Sequence, residues 1–472
     1  MKNISPNLKL YLLISLLSFT YCYLEEGNIY LPMFSNFTLE HSESKINNKN
    51  YYTIPLLIGT PEEEYEVQVD TSSATSWIPS SLCKNCILAH RLFDPEDSRT
   101  SSPTDIHIVI EDEDGNVEGY QMSDNIKLGT YKLKQYGFVE VTKVEENFRD
   151  HYQGKLGLGY KSHYLKDEEY NFLEKLKKNN LITKKIFSIN AINDKKGMLF
   201  IGDIPGKEYN TYCNVTTETD DLDDMYKESW ICTLTHIGVF KKEEGIFSEI
   251  KYYEELENTK LVSFDSAYDY IAVPISEKEH IEKFLDEAKL ECKEKKKAET
   301  NKEDKLRNRV RDEEITITCK TSLEELKEKD LALSFILQGY SYSLPLELLF
   351  VESANKNEME MLLKYIDDEK AIWVFGYPFM NQFLMIFNME DNHVGIKKLK
   401  KTALPIVNIE KKDWLKSNLK EESSGSSAFK TIAYIVLFLV IAAIIFYAYR
   451  YIRKKDVNSS KIEMNANRDA VY

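Results

Sequence analysis

Two acidic residues sit in matching frames. In "VQVDTSSATSWIPS", Val67 to Ser80, Asp70 ends an alternating apolar run and is followed by small polar residues. In "LVSFDSAYDYIAVP", Leu261 to Pro274, Asp265 takes the same place in a similar run. Their matched frames raise the question of whether the two acids form one catalytic pair. Surface acids at turns are the plainer reading, and the matched frames argue against it. Other hydrolytic chemistries find no footing, because the chain has neither H-E-x-x-H nor G-x-S-x-G.

Positioning such a pair takes two similar scaffolds, and the chain half-repeats. The Asp70 turn is echoed by "GKLGLGY", Gly154 to Tyr160, and the Asp265 turn by "WVFGYPF", Trp373 to Phe379. Each half has an acid-bearing turn and, far downstream, an apolar run ending in glycine. This suggests a site at a pseudo-twofold seam. From Tyr51 the texture is β: "YEVQVD" alternates, "IHIVI" reads as a buried strand, "GMLFIGDI" as another strand, and "DEDGNV" is a hairpin turn signal. Helical pattern is confined to short pieces such as "YNFLEKLKKNNL". A mainly β architecture follows. The block from Lys293 to Glu314 is charged throughout and reads as a solvated helix or a disordered insert.

The 472 residues suffice for two medium domains or one large two-lobed one. A formal net charge of −16 argues against nucleic acid as a partner, since phosphate binding wants a basic patch. Both ends carry membrane signals. Residues 1–22 read as a secretory signal peptide, with a weakly basic start and an apolar stretch from Leu10 to Phe19. Residues 431–449 are uncharged, about as long as the roughly 20 residues a spanning helix needs. Arg450, Arg453, Lys454 and Lys455 follow, which places residues 450–472 in the cytosol and the rest in the lumen or outside. A flexible stalk over residues 401–430 precedes the span. The expectation is a single-pass type I protein of the secretory pathway or cell surface.

Cysteine usage agrees with that compartment. Beyond Cys22, six remain: Cys83, Cys86, Cys213, Cys232, Cys292 and Cys319. An even set in a secreted chain suggests disulfides, and pairing of neighbours is the simplest of many connectivities. Cys83-Lys-Asn-Cys86 also fits half a zinc site or a redox motif, although no second half with ligand spacing and no thioredoxin-like context accompany it. Asn36 and Asn214 are N-glycosylation sequons.

With these residues in order, the chain resembles the pepsin-like aspartic proteases, peptidase family A1, from about Tyr51 to Lys398. "IGTPEEEYEVQVDTSSATSWIPSSLC", "LFDPEDSRT", "GKLGLGY", "LFIGDI" and "WVFGYPFMNQFLMIFNMEDNHVGI" fall in the family's sequence of motifs. The resemblance implies a bilobal fold of two β-rich lobes with a cleft between them: residues 51–204 as the N-terminal lobe and 205–400 as the C-terminal lobe. Residues 23–50 are a short pro-segment or an N-terminal strand. Asp70 and Asp265 are implied as the catalytic pair, with Thr71, Ser73 and Ser266 supporting it and Trp77 supporting the flap. Six cysteines match the family's three bridges. The resemblance also implies a monomer that cleaves peptide or protein substrates at acidic pH, with no metal and no organic cofactor.

The chain departs from the family's D-[ST]-G-[ST] turns. Ser72 and Ala267 replace the glycines, and Tyr268 and Asp269 follow Ala267. A side chain there costs about 1 kcal/mol if φ is positive. Aligning the flap on Gly115 puts Asp112 where a tyrosine normally sits, among Glu111, Glu113, Asp114 and Glu118. This acidic hairpin reads as a solvated turn or as a selector of basic peptides. Tyr120 and Tyr136 are candidates for the missing phenol. The alternatives to an endopeptidase are a catalytically impaired pseudoprotease that binds peptides in the same cleft, and a purely structural surface ectodomain with the cleft collapsed or filled by the charged insert.

Overall fold

The computed structural model describes residues 28–35, 52–86, 91–112, 115–145, 153–165, 170–193, 196–202, 204, 209, 211–216, 222–243, 246–296, 314–353, 355, 357–367, 371–398 and 406–408. The expected signal peptide, Asn36, most of the charged block, residues 401–405 and 409–430 of the expected stalk, the expected span at 431–449 and the tail lie outside the described residues. Val407–Asn408, expected within a flexible stalk, instead form a strand that pairs antiparallel with Tyr340 and Ser341, because their backbone completes the edge of the second sheet. Among the described residues no helix is long and apolar enough to cross a membrane.

"IHIVI" lies in the strand Ser102–Asp112, but Ile106 and Val109 are exposed rather than buried, because this strand is one arm of a two-stranded hairpin. "YEVQVD" lies in the strand Glu63–Asp70, whose last four residues are buried on both faces as it enters the core. Two mixed sheets result, one of thirteen strands and one of eleven. Among the described residues the helices are short, the longest being Lys278–Glu287. The helix in "YNFLEKLKKNNL" spans Phe172–Lys178, with Asn171 capping it through bonds from the Leu173 and Glu174 amides.

The two acid-bearing strands are built alike. Glu63–Asp70 runs parallel to Lys155–Gly157, pairing Gln68 with Lys155 and Asp70 with Gly157. The end of Ile246–Phe264 runs parallel to Trp373–Phe375, pairing Ser263 with Val374 and Phe264 with Phe375. In each half the strand after the turn pairs antiparallel with the same short partner: Trp77 with Lys155, and Ile271 with Phe375. The half-repeat of the sequence is therefore a repeat of strand pairing. A glycine permits each crossing. A Cβ on Gly157 would lie 2.6 Å from the Ala74 carbonyl carbon, and one on Gly376 would lie 2.3 Å from the Tyr270 carbonyl oxygen.

Residues 29–35, left open between pro-segment and strand, form a strand. It pairs antiparallel with Lys196–Ile201 over six positions and with Thr53 and Tyr52 on its other side. The first sheet also takes in strands from late in the chain, Phe383–Asn388 and His393–Lys398, so the sheet does not end where the first half of the sequence does. The charged block is neither helical nor detached at its ends: Cys292–Lys296 and Glu314–Cys319 pair as antiparallel strands.

The flap is the hairpin of Ser102–Asp112 and Gly115–Leu128, with Asp112 opposite Gly115 and Ile110 opposite Val117. Gly115 takes φ +122°, a conformation that favours glycine, and its Cα faces the Glu145 carboxylate. Trp77 is buried at the hairpin's base with Ile110, Val117, Val139, Val141, Val144 and Leu165. Three disulfides join Cys83 to Cys86, Cys213 to Cys232 and Cys292 to Cys319. The neighbour pairing holds, and Cys83 and Cys86 are bonded to each other rather than available to zinc.

Candidate active site

The two acid turns meet back to back. The Thr71 hydroxyl donates to the Phe264 carbonyl at 2.8 Å and accepts from the Ser266 amide at 3.0 Å. The Ser266 hydroxyl donates to the Val69 carbonyl at 2.6 Å and accepts from the Thr71 amide at 3.1 Å. Each hydroxyl thus satisfies two buried backbone groups across the seam, and the four bonds lock the turns in one relative placement. Above them, Asp70 and Asp265 are 1% and 4% exposed and line one cavity of about 20 Å³. A water needs roughly 10–15 Å³ of such space, so the cavity is water-sized rather than peptide-sized.

The replaced glycines do not strain the turns. Neither Ser72 nor Ala267 has a positive φ. The service expected of a glycine amide is kept: the Ser72 and Ala267 amides each donate to Oδ1 of their aspartate at 2.8 Å. Ser72 adds its hydroxyl to the same oxygen of Asp70 at 2.7 Å. Ser73 departs from its expected role. Its amide reaches Asp70 Oδ1 at 3.3 Å, but its hydroxyl donates to Glu228 Oε2 at 2.6 Å.

Glu228 was invisible to motif reading. Its buried carboxylate also accepts from the Ala74, Thr75, His163 and Tyr164 amides and from the Thr75 hydroxyl. So many donors make one charge the fastener between the first turn and the loop at 161–165. Tyr268, too bulky to copy Ser73, turns into an apolar cluster against Tyr270, with ring centroids 5.1 Å apart. Burial opposes the charge on Lys364, but Asp269, Glu314 and Glu360 outweigh it and hold its pKa up. The charge that Asp269 brings to the second turn therefore has a cation nearby.

The flap differs most from expectation. Asp112 is not a solvated turn residue. Its side chain is 4% exposed and meets Lys155 Nζ at 2.7 Å. The same ammonium lies 3.3 Å from Asp70 Oδ2 and is 1% exposed. With Lys155 holding it, the Asp112 carboxylate is not free to select a basic peptide side chain.

Neither candidate phenol is at the site. Tyr120 is exposed and stacks edge-on with His107, while the Tyr136 hydroxyl is buried against Ser76 at 2.6 Å. Instead Tyr164 comes from the 161–165 loop, its hydroxyl accepting from the Glu111 amide at 3.2 Å. Burial pushes the Tyr164 phenol well up, so it stays neutral. Tyr226, Glu228, Ile110 and Glu111 complete the wall. Among the described residues no cluster of His, Cys, Asp and Glu forms a metal site. Asn214 is exposed on the strand Tyr212–Asn214, so its side chain is accessible to glycosylation.

Comparison with known proteins points one way. The family profile of the eukaryotic aspartyl proteases matches residues 51–399. Pepsin II-2/3 of Oryctolagus cuniculus is 21% identical over 370 residues, 77% of this chain and 84% of that protein. Pepsin-3 of the same animal is 22% identical over 78% of this chain and 86% of that protein. Mucorpepsin of Rhizomucor pusillus is 29% identical over 38% of this chain and 43% of its own length.

Proposed function

Since the chain belongs to the eukaryotic aspartyl protease family, we propose that it is a membrane-anchored aspartic endopeptidase of the secretory pathway, working at acidic pH with Asp70 and Asp265 as its catalytic pair. One observation carries the reading: four hydrogen bonds across the seam hold the two turns so that both carboxylates line a single water-sized cavity. In that geometry the ionised carboxylate takes a proton from water as the water oxygen bonds to the peptide carbonyl carbon. The protonated carboxylate gives its proton to the carbonyl oxygen. The tetrahedral adduct then breaks its C–N bond, the nitrogen takes up the proton held by the first carboxylate, and the second regains its own. The products are a carboxylic acid and an amine. Thr71, Ser266 and the Ser72 and Ala267 amides act as positioning groups for the pair, and Trp77 supports the flap.

The anchor is supported by residues 431–449 and the basic cluster after them. Three disulfides suit a luminal or extracellular body. We take the protein to be monomeric and independent of metal and organic cofactor. The test is digestion of a peptide library at acidic pH by the full chain in detergent. Asp70→Ala and Asp265→Ala are run beside it, and each is expected to lower cleavage at least about a thousandfold. Equal cleavage by wild type and either variant refutes the assignment.

One feature favours a second reading, peptide binding without turnover: a lysine already occupies Asp70 Oδ2. That reading expects measurable affinity for peptides and no product after long incubation.

A further inference from the structure

At the position equivalent to the buried Lys155, the other half carries Val374. Gln68, two residues before Asp70, pairs with Lys155; Ser263, two residues before Asp265, pairs with Val374. The two sites are equivalent in the repeat, and Val374 is 1% exposed. One half therefore buries a charge where the other buries an isopropyl group. Burying a lone ammonium costs much more than burying valine, so its position reflects its partners. Those partners are Asp70, from the strand Glu63–Asp70, and Asp112, from the flap.

We propose that Lys155 is a positioning residue that ties the closed flap to the first carboxylate, fixing Asp70 as the charged base and Asp265 as the member that carries the shared proton. This rests on the endopeptidase reading for its kinetic consequences but not for its ionic ones. Asp70 Oδ1 accepts from the Ser72 amide and hydroxyl and the Ser73 amide, while Oδ2 faces the ammonium. Every one of these neighbours donates, which suits a carboxylate and not an acid. At the second acid the Ala267 amide likewise donates to Oδ1, and the residue at the place of Lys155 is the apolar Val374.

The other titratable groups around the cavity are Glu111 on the flap, Tyr164 from the loop, Tyr226 and Glu228 from the segment before Trp230, and Asp265. None of these lining groups is a cation, and Lys155 acts on the cavity through the two lining carboxylates it contacts, Asp70 and Asp112. Opening the flap for a peptide separates Asp112 from Lys155 and leaves the ammonium to Asp70. Substrate entry and the charge on the pair are thereby coupled.

The experiment compares wild type, Lys155→Met, Asp112→Asn and the double variant. In kcat/KM against pH, Lys155→Met moves the acid limb to higher pH by about one unit, because the charged pair has lost a cation within 4 Å. Asp112→Asn moves it to lower pH, because a competing negative charge is gone. Asp112→Asn also speeds association of a peptide analogue bearing a hydroxyl at the scissile position, about tenfold, because the flap is released. A purely structural lysine would not give limb shifts of opposite sign.

If wild type does not cleave, the endopeptidase reading falls and the melting temperature decides the ionic proposal. Without the ammonium, charging the two buried carboxylates works against folding. The gap between wild type and Lys155→Met then widens as pH rises from 4 to 7, and adding Asp112→Asn narrows it. If Lys155→Met alone fails to fold, Asp112→Asn and the double variant carry the same comparison. A gap independent of pH, or limb shifts of the same sign in both single variants, overturns the proposal.

Discussion

The two halves share a scaffold and differ in charge. Each presents an acid turn, a parallel strand ending beside a glycine and an amide aimed at Oδ1. The first adds the Ser72 hydroxyl and the Lys155 ammonium to its carboxylate, and at the places of Ser72 and Lys155 the second half has Ala267 and Val374. Backbone pairing fixes where the acids stand, and side chains two residues away fix what each is prepared to do. A duplicated fold is thus free to make unequal partners without moving a strand.

That comparison is strongest, and most easily broken, at the crossings. Gly157→Ala and Gly376→Ala place a Cβ against backbone at 2.6 and 2.3 Å, so each is expected to cost about 3 kcal/mol or more in denaturant unfolding. Similar losses in both halves support an equivalent role. A neutral effect at one glycine means that half closes differently.

The seam comes next. Thr71→Val and Ser266→Ala each orphan two buried backbone groups, and each should lower stability by about 1–3 kcal/mol. Both are also expected to reduce kcat, since the acids shift relative to one another. A variant that loses activity with unchanged stability would separate positioning from folding.

The smallest effects sharpen the contrast between the turns. Ser72→Ala removes a hydroxyl from Asp70 and should cost about 1 kcal/mol. Ala267→Gly should cost about 0.5–1 kcal/mol through the entropy of the unfolded chain. Restoring glycine at both positions is expected to change cleavage less than tenfold, since both amides already reach their carboxylates. A large gain in turnover would mean that the present side chains obstruct the water.

What could be read in the sequence was local. Asp70, Thr71, Asp265 and Ser266 sit in contiguous motifs, and Gly157 and Gly376 end apolar runs, so pattern alone marks them. Cysteine pairs close in sequence were also close in space. Lys155, Asp112, Tyr164 and Glu228 converge from four separate segments, and no spacing announces such a meeting. Lys155 did leave a trace, a charge inside the apolar run "GKLGLGY", where a buried strand should have none. The acidic flap misled for the complementary reason: composition reports a charge but not the partner that neutralises it.

The strand at residues 29–35 bears on how the chain could be trimmed. With six residues hydrogen-bonded to one neighbour and two to the other, it is woven into the sheet rather than laid over it. A nick in the link at residues 36–51 would leave this peptide clamped in place, detectable as a small fragment co-migrating with the body until denaturant is added. Removing it outright would expose two rows of unpaired backbone groups, an invitation to dimerise edge to edge.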